Sequence, residues 1–422
     1  MTEATEATGT AETTTGTTTG ALPAELDVFR PELRANPFDA YRRLRETGRV
    51  HDTGFGIHLV PRYEDCSAVL ADPDWGHGYT AGINPFRPGV DVSQLPGSFL
   101  LLDPPEHGRL RSLVAKAFTS RAVAELRARI TRTVDELLDA ALEAGEVDLV
   151  QALAYPVPLI TICELLGVPA ADRELFGGWT GDISRGLDPD AVLSAEEKAA
   201  RQTAVRAFDG YFHALIEERR KAPGEDLLSE LVAVEESGNR LTAKEIADIG
   251  VLLLIAGHET TMNLIASAAL TLHRNPAQRA LLREDPGLVA DAVEEFLRYD
   301  TPVPFPTRVA MRDTTLAGRE MPRGTGVVLL LGSANRDPEV FADPDTLDVR
   351  RFAGGGAQRR QLAFSHGPHF CLGAPMARLE SEITLRRLCE RAPEFAVLTD
   401  EPAYRPSVSM RGPARLPVRL AG

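Results

Sequence analysis

The chain has 422 residues, 43% of them hydrophobic and 25% charged, enough to bury a large core with a prosthetic group inside it. Its formal net charge of −15 excludes a nucleic-acid partner gathered by bulk electrostatics. The four cysteines, Cys66, Cys163, Cys371 and Cys389, are scattered and form no Cys-x-x-Cys pair, which favours a reducing compartment over a disulfide framework. The opening residues Met-Thr-Glu-Ala-Thr-Glu show neither the basic nor the apolar region of a secretory leader, and the longest unbroken apolar run, Val251–Ala256, is too short to cross a bilayer. A cytoplasmic protein with no membrane contact is the expectation.

In chain order, residues 1–24 are rich in Thr, Gly, Ala and Glu with little to bury, and are expected to be a disordered tail. Residues 25–422 carry no Gly/Ser-rich linker and read as one domain. Helical periodicity is expected over 36–46, a short hairpin over 50–61, and a long irregular loop over 73–100, of a length usually tied to function. Helices follow over 106–118, 122–144, 155–166, 195–221, 226–235 and 242–273, then short strands near 307–311 and 327–331, and a last helix over 374–391. Thr242 and Glu245 form a capping-box pattern that opens the longest helix, whose stretch Ile249–Ile255 is apolar on all sides. That pattern fits a mainly α fold with small β-sheets around one central buried helix.

Cys371 sits in Phe364-Ser365-His366-Gly367-Pro368-His369-Phe370-Cys371-Leu372-Gly373, at the end of a Gly/Pro loop and just before a helix. Unpaired amides and the positive dipole end at a helix start favour a thiolate there. Gly367 and Gly373 remove side chains where a flat cofactor would pass close to the backbone. A buried structural cysteine is the plain alternative, and a zinc site from His366, His369 and Cys371 is another. In the middle of the long helix stands Ala256-Gly257-His258-Glu259-Thr260-Thr261. A glycine there disfavours helix by about 1 kcal/mol, and Gly257 with Thr260 could open a local kink or groove. An acid beside an alcohol suits proton delivery. The zinc-protease pattern His-Glu-x-x-His fails, because Met262 holds the second histidine's place.

These segments resemble the cytochrome P450 family over about residues 25–420. Its haem signature Phe-x-x-Gly-x-x-x-Cys-x-Gly is matched by Phe364, Gly367, Cys371 and Gly373, and its oxygen-activation motif by Ala256 through Thr260. The resemblance implies haem b as cofactor, Cys371 as the iron's sulfur ligand and Ala256 against the cofactor. It makes Glu259 and Thr260 the acid and alcohol of proton delivery, with His258 at a variable position. It implies propionate donors at His107, Arg111, Arg308 and His369. Glu295 and Arg298 match the family's Glu-x-x-Arg element, completed by Arg351, with Arg350 as the neighbouring register.

The activity so implied is that of a haem-thiolate monooxygenase, using dioxygen to hydroxylate or epoxidise a hydrophobic small molecule, as in secondary-metabolite tailoring. Oxidative coupling or desaturation on the same fold is an alternative, and a non-catalytic haem sensor a weaker one. Electron donors of the family are a ferredoxin with its reductase. A basic patch for such a donor is expected from Arg109, Arg111, Lys116, Arg121, Arg359, Arg360, Arg378, Arg386 and Arg387. The substrate is expected to be lined by the 73–100 loop, Leu253, Ala256, residues 303–306 and Val408.

Overall fold

The computed structural model describes residues 22–53, 56–90, 98–188, 190–236, 241–355 and 360–420. Fourteen α-helices appear among them: α1 (Phe38–Thr47), α2 (Tyr63–Ala71), α3 (Glu106–Val114), α4 (Ser120–Glu125), α5 (Arg127–Ala144), α6 (Pro156–Leu166), α7 (Phe176–Arg185), α8 (Ala195–Lys221), α9 (Leu227–Glu236), α10 (Ala243–Arg274), α11 (Pro276–Glu284), α12 (Val289–Tyr299), α13 (Leu331–Ala334) and α14 (Ala374–Arg391). Short strands are β1 (His51–Asp52), β2 (Ile57–Val60), β3 (Trp75–Gly76), β4 (Glu146–Asp148), β5 (Thr307–Ala310), β6 (Thr314–Leu316), β7 (Arg319–Met321), β8 (Gly326–Leu329), β9 (Ala396–Val397) and β10 (Pro417–Arg419).

The centre is α10. Thr242 and Glu245 close the expected capping box, and the helix then runs 32 residues, about 48 Å at 1.5 Å per residue. Every residue from Thr261 to Leu272 is buried, because α6, α8, α12 and α14 pack around it. By length and composition α10 could cross a membrane, yet 83% of its apolar window lies inside the protein, as a core helix's must.

The five-stranded sheet runs β1-β2-β8-β5-β3, with His51 opposite Leu59 in the hairpin expected at 50–61. It carries Arg308 on β5 toward the interior. Within the 73–100 loop lie β3 and a 3-10 turn at Ser98–Leu101; residues 91–97 fall outside the described set. Of the expected N-terminal tail, residues 1–21 also fall outside it, while Ala24–Leu26 forms a 3-10 turn.

Several expectations need correction. Helix 106–118 ends as an α-helix at Val114 and continues as a 3-10 turn, and helix 122–144 is broken at Leu126. Helices α2 and α7 have no counterpart in the predicted elements. In α7 the sequence Phe-Gly-Gly-Trp-Thr-Gly reads as a breaker, since each glycine disfavours helix by about 1 kcal/mol. Tertiary packing outweighs that: Phe176 is fully buried against Phe208, Trp179 and Tyr211, at centroid distances of 5.5, 5.9 and 5.1 Å.

Candidate active site

The loop before α14 folds back on itself. The Cys371 amide donates to the Phe364 carbonyl at 2.8 Å, and Gly367–His369 form one 3-10 turn. Gly367 has φ +69°, and a Cβ there would lie 2.4 Å from the Leu70 carbonyl of α2. So the loop's own turn and close protein packing by themselves require a glycine here. Gly373, the N-cap of α14, does face open space. Cys371 is partly exposed; burial raises its thiol, while the amides of Gly373 and Ala374 and the charges of Arg111 and Arg378 act to lower it. Arg378 lies 4.6 Å over the Phe364 ring and pairs with Glu294 at 2.6 Å, so it braces the loop. Among the described residues no group of three His, Cys, Asp or Glu side chains is disposed to hold a metal, which removes the zinc alternative.

Around this loop gathers a set of nitrogen donors. Helix α3 presents His107 and Arg111 one turn apart. The His107 ring stacks on His369 at 4.0 Å, and His77, which sequence reasoning missed, meets His369 edge-on at 4.8 Å. Arg111 donates to the Phe370 carbonyl at 2.6 Å, and buried Arg308 donates to the Thr307 carbonyl at 2.8 Å. One carboxylate is near: Asp103 acts on His107 and Arg308, and accepts the amides of His77 and Gly78 at 2.7 and 2.9 Å. Burial, with repulsion from Arg308, His107 and Arg111, pushes His369 down to about 3, and burial, opposed by Asp103, pushes Arg308 down to about 10. His369 Nδ1 and His77 Nε2 are buried with no hydrogen-bond partner among the described residues. Such nitrogens and one weakly paired guanidinium fit a ligand bearing carboxylates, which haem with two propionates is.

On α10, Ala256 is exposed and Thr260 half-exposed, although their neighbours Ile255, His258 and Glu259 are buried. A small residue exposed in mid-helix marks the wall of an interior space. The helix runs on without a break through this stretch, and the Thr260 hydroxyl donates to the Ala256 carbonyl at 2.7 Å. Gly257 instead makes room for α6, since a Cβ would sit 3.3 Å from Ile162. Glu259 turns to Arg405, whose Nη1 lies 3.2 Å from its carboxylate. The C-terminal loop reaches that far because Gly412 lets it press on α10; a Cβ there would be 2.3 Å from Asn263. Burial raises the Glu259 pKa and Arg405 partly opposes it. No spacing in the sequence pointed to Arg405. His258 is buried edge-on to Tyr155 at 4.5 Å, and burial pushes it down to about 3, so it is neutral.

Glu295 and Arg298 stand one turn apart on α12. Both are fully buried, joined at 2.7 Å, with Arg351 3.1 Å from Glu295 and Arg350 exposed. Arg298 also donates to the carbonyls of Asn335 and Pro344, so the cluster clamps the segment leading to the cysteine loop. In the expected basic patch, Arg109, Arg121, Arg378, Arg386 and Arg387 each have a carboxylate within 4 Å, and Arg359 falls outside the described residues. Five of the nine expected cations are thus compensated locally.

A profile of the Cytochrome P450 family matches residues 190–393. The chain is 41% identical to cytochrome P450 monooxygenase PikC of Streptomyces venezuelae, over 96% of each chain. It is also 41% identical to the vitamin D(3) 25-hydroxylase of Pseudonocardia autotrophica, over 96% of this chain and 98% of that one. The solved structure of Mycobacterium smegmatis CYP164A2 with econazole bound superposes with a TM-score of 0.86 at 41% identity, covering 93% of this chain and 98% of that one. With a cysteine loop, a donor set suited to propionates and a central helix bearing acid and alcohol, all in one fold shared with these relatives, the chain belongs to the cytochrome P450 family and is a haem-dependent monooxygenase.

Proposed function

We propose that this monooxygenase hydroxylates or epoxidises an apolar, medium-to-large small molecule in secondary-metabolite tailoring, in the cytoplasm, with electrons from a ferredoxin and its reductase. Relatives named as a vitamin D(3) 25-hydroxylase and a 6-deoxyerythronolide B hydroxylase support the substrate size. Haem, when bound, supplies dioxygen activation through an iron whose reactivity a thiolate ligand raises. Cys371 provides that thiolate. His77, His107, Arg111, Arg308 and His369 bind the propionates as charge-assisted donors. Ala256 leaves room above the cofactor, while Phe364, Gly367 and Gly373 shape the loop that presents the sulfur. Thr260 holds a proton at its hydroxyl beside the reacting space, and Glu259 exchanges protons with solvent while the Arg405 charge opposes the rise of its pKa. Leu253, Ala256, Phe305 and Val408 line an apolar substrate chamber that excludes water.

The observation that carries this reading is the pair of buried, unpartnered histidine nitrogens beside Arg308, next to the cysteine loop. The reduced, carbon-monoxide-bound spectrum tests it. A Soret band at the position of a thiolate-ligated haem in the parent, lost in Cys371→Ser, is expected; the same band in both would sink the assignment of Cys371.

A further inference from the structure

A cavity walled by guanidinium groups lies where the N-terminal stretch meets the C-terminal loop. Arg34, Tyr41, Phe305, Tyr404, Arg405 and Arg411 line it, and none of its lining residues belongs to α3, α10 or the cysteine loop. Its volume is about 30 Å³. That is room for a small ion or about two waters, since one water needs about 10–15 Å³.

The charges around it do not balance. Arg411 is 9% exposed and fully committed: Nε donates to Asp300 at 2.6 Å, Nη1 to the Arg34 carbonyl and Nη2 to the Ala35 carbonyl at 3.1 Å. Arg405 gives Nη1 to Glu259 at 3.2 Å, while its Nη2 meets the Met262 sulfur at 3.3 Å, a weak acceptor. Arg34 has no carboxylate within 4 Å among the described residues. Arg34, Arg405 and Arg411 thus face only Asp300 and Glu259, and the unmatched charge sits on Arg34. Nε of Arg34 and Nε of Arg405 are both buried with no acceptor among the described residues. Such N–H groups are destabilising until a ligand supplies an acceptor. Burial also holds the phenols of Tyr41 and Tyr404 protonated, Tyr404 with its pKa raised to about 12, so they add donors and no competing charge. Water, which must donate as well as accept, matches such walls less well than an oxyanion does.

We propose that this cavity is an anion site taking one carboxylate, held mainly by Arg34, with Arg405 and the two phenols as further donors. The same chemistry can arrive as a free small carboxylate or as the acidic end of an otherwise apolar substrate, because Phe305 and Val408 line this cavity and belong to the chamber proposed above. Only the second source rests on that proposal.

The test uses the holoenzyme and two kinds of probe. In the reduced, carbon-monoxide-bound form the iron is capped and diamagnetic. Isotopically labelled formate at constant ionic strength should there show a saturable excess NMR linewidth, removed in Arg34→Gln and partly restored in Arg34→Lys. In the ferric form, dodecanoate and its methyl ester are compared by the spin shift. An acid-over-ester preference of about tenfold, the size of one charge-assisted hydrogen bond, that falls below about twofold in Arg34→Gln assigns the carboxylate to the substrate. Formate binding that depends on Arg34, with acid and ester alike, assigns it to a free anion. Formate linewidths equal in parent and Arg34→Gln, with no acid-over-ester preference or one that Arg34→Gln leaves intact, overturn the site. A spin shift from neither long-chain probe counts against the apolar chamber, and formate then decides the anion site.

Discussion

Glu380 lies on the buried face of α14, 1% exposed, with Thr161 as its hydrogen-bonding neighbour and, among the described residues, no cation opposing its charge. Burial lifts its pKa from 4.5 to about 8. Because the folded value is raised, the folded state holds a proton that the unfolded chain has released, and stability falls as pH rises from about 4.5 to about 8. Glu380→Gln removes that dependence. At 1.36 kcal/mol per pH unit the gain is about 1 kcal/mol at pH 5, about 3 at pH 7 and about 4 at pH 8. Unfolding entropy near 2.1 cal/mol/K per residue gives about 0.9 kcal/mol per degree for a chain of this size. The variant's Tm should then exceed the parent's by about 1 °C at pH 5 and about 5 °C at pH 8. Calorimetry of the holoenzyme across pH 5 to 8 measures it. A constant offset over that range, or a variant less stable at pH 8, would refute the argument that burial holds this carboxyl protonated.

Two further outcomes follow from the site. Arg308→Leu should lower haem retention by about 10- to 100-fold, the loss of one charge-assisted donor, read as haem transfer to apomyoglobin. The same variant should stabilise the apoprotein in urea, since a buried and weakly paired guanidinium is gone. Arg405→Gln removes the charge that opposes the burial-driven rise at Glu259, so the fraction of electrons recovered as product should fall, and its pH limb should move to higher pH; Arg405→Lys should restore most of both. An unchanged limb in Arg405→Gln would separate Arg405 from proton delivery.

The boundary between sequence and structure runs through particular residues. Local chemistry was legible: Thr242 and Glu245 announce the start of α10, its apolar run announces burial, and the spacing of Phe364, Gly367, Cys371 and Gly373 announces a presented thiolate. His107 and Arg111 were readable because one helical turn separates them. Contacts between segments hundreds of residues apart were not. Nothing in the spacing places Arg405 on Glu259, His77 on His369, or Asp188 on Ser407, Val408 and Ser409.

Helix α7 shows the same division from the other side. Its glycines argue against helix locally, and only the aromatic cluster brought by α8 makes it form. Gly367 is the sharpest case. Its identity could be read from the motif, but its reason could not, because the Leu70 carbonyl that forbids a side chain there comes from α2, which the sequence did not disclose. Short-range spacing thus determined which residues carry the chemistry. Long-range packing decided which way they point, what charge faces them and what closes over them, since those depend on a low-dielectric interior that exists only once the segments have met.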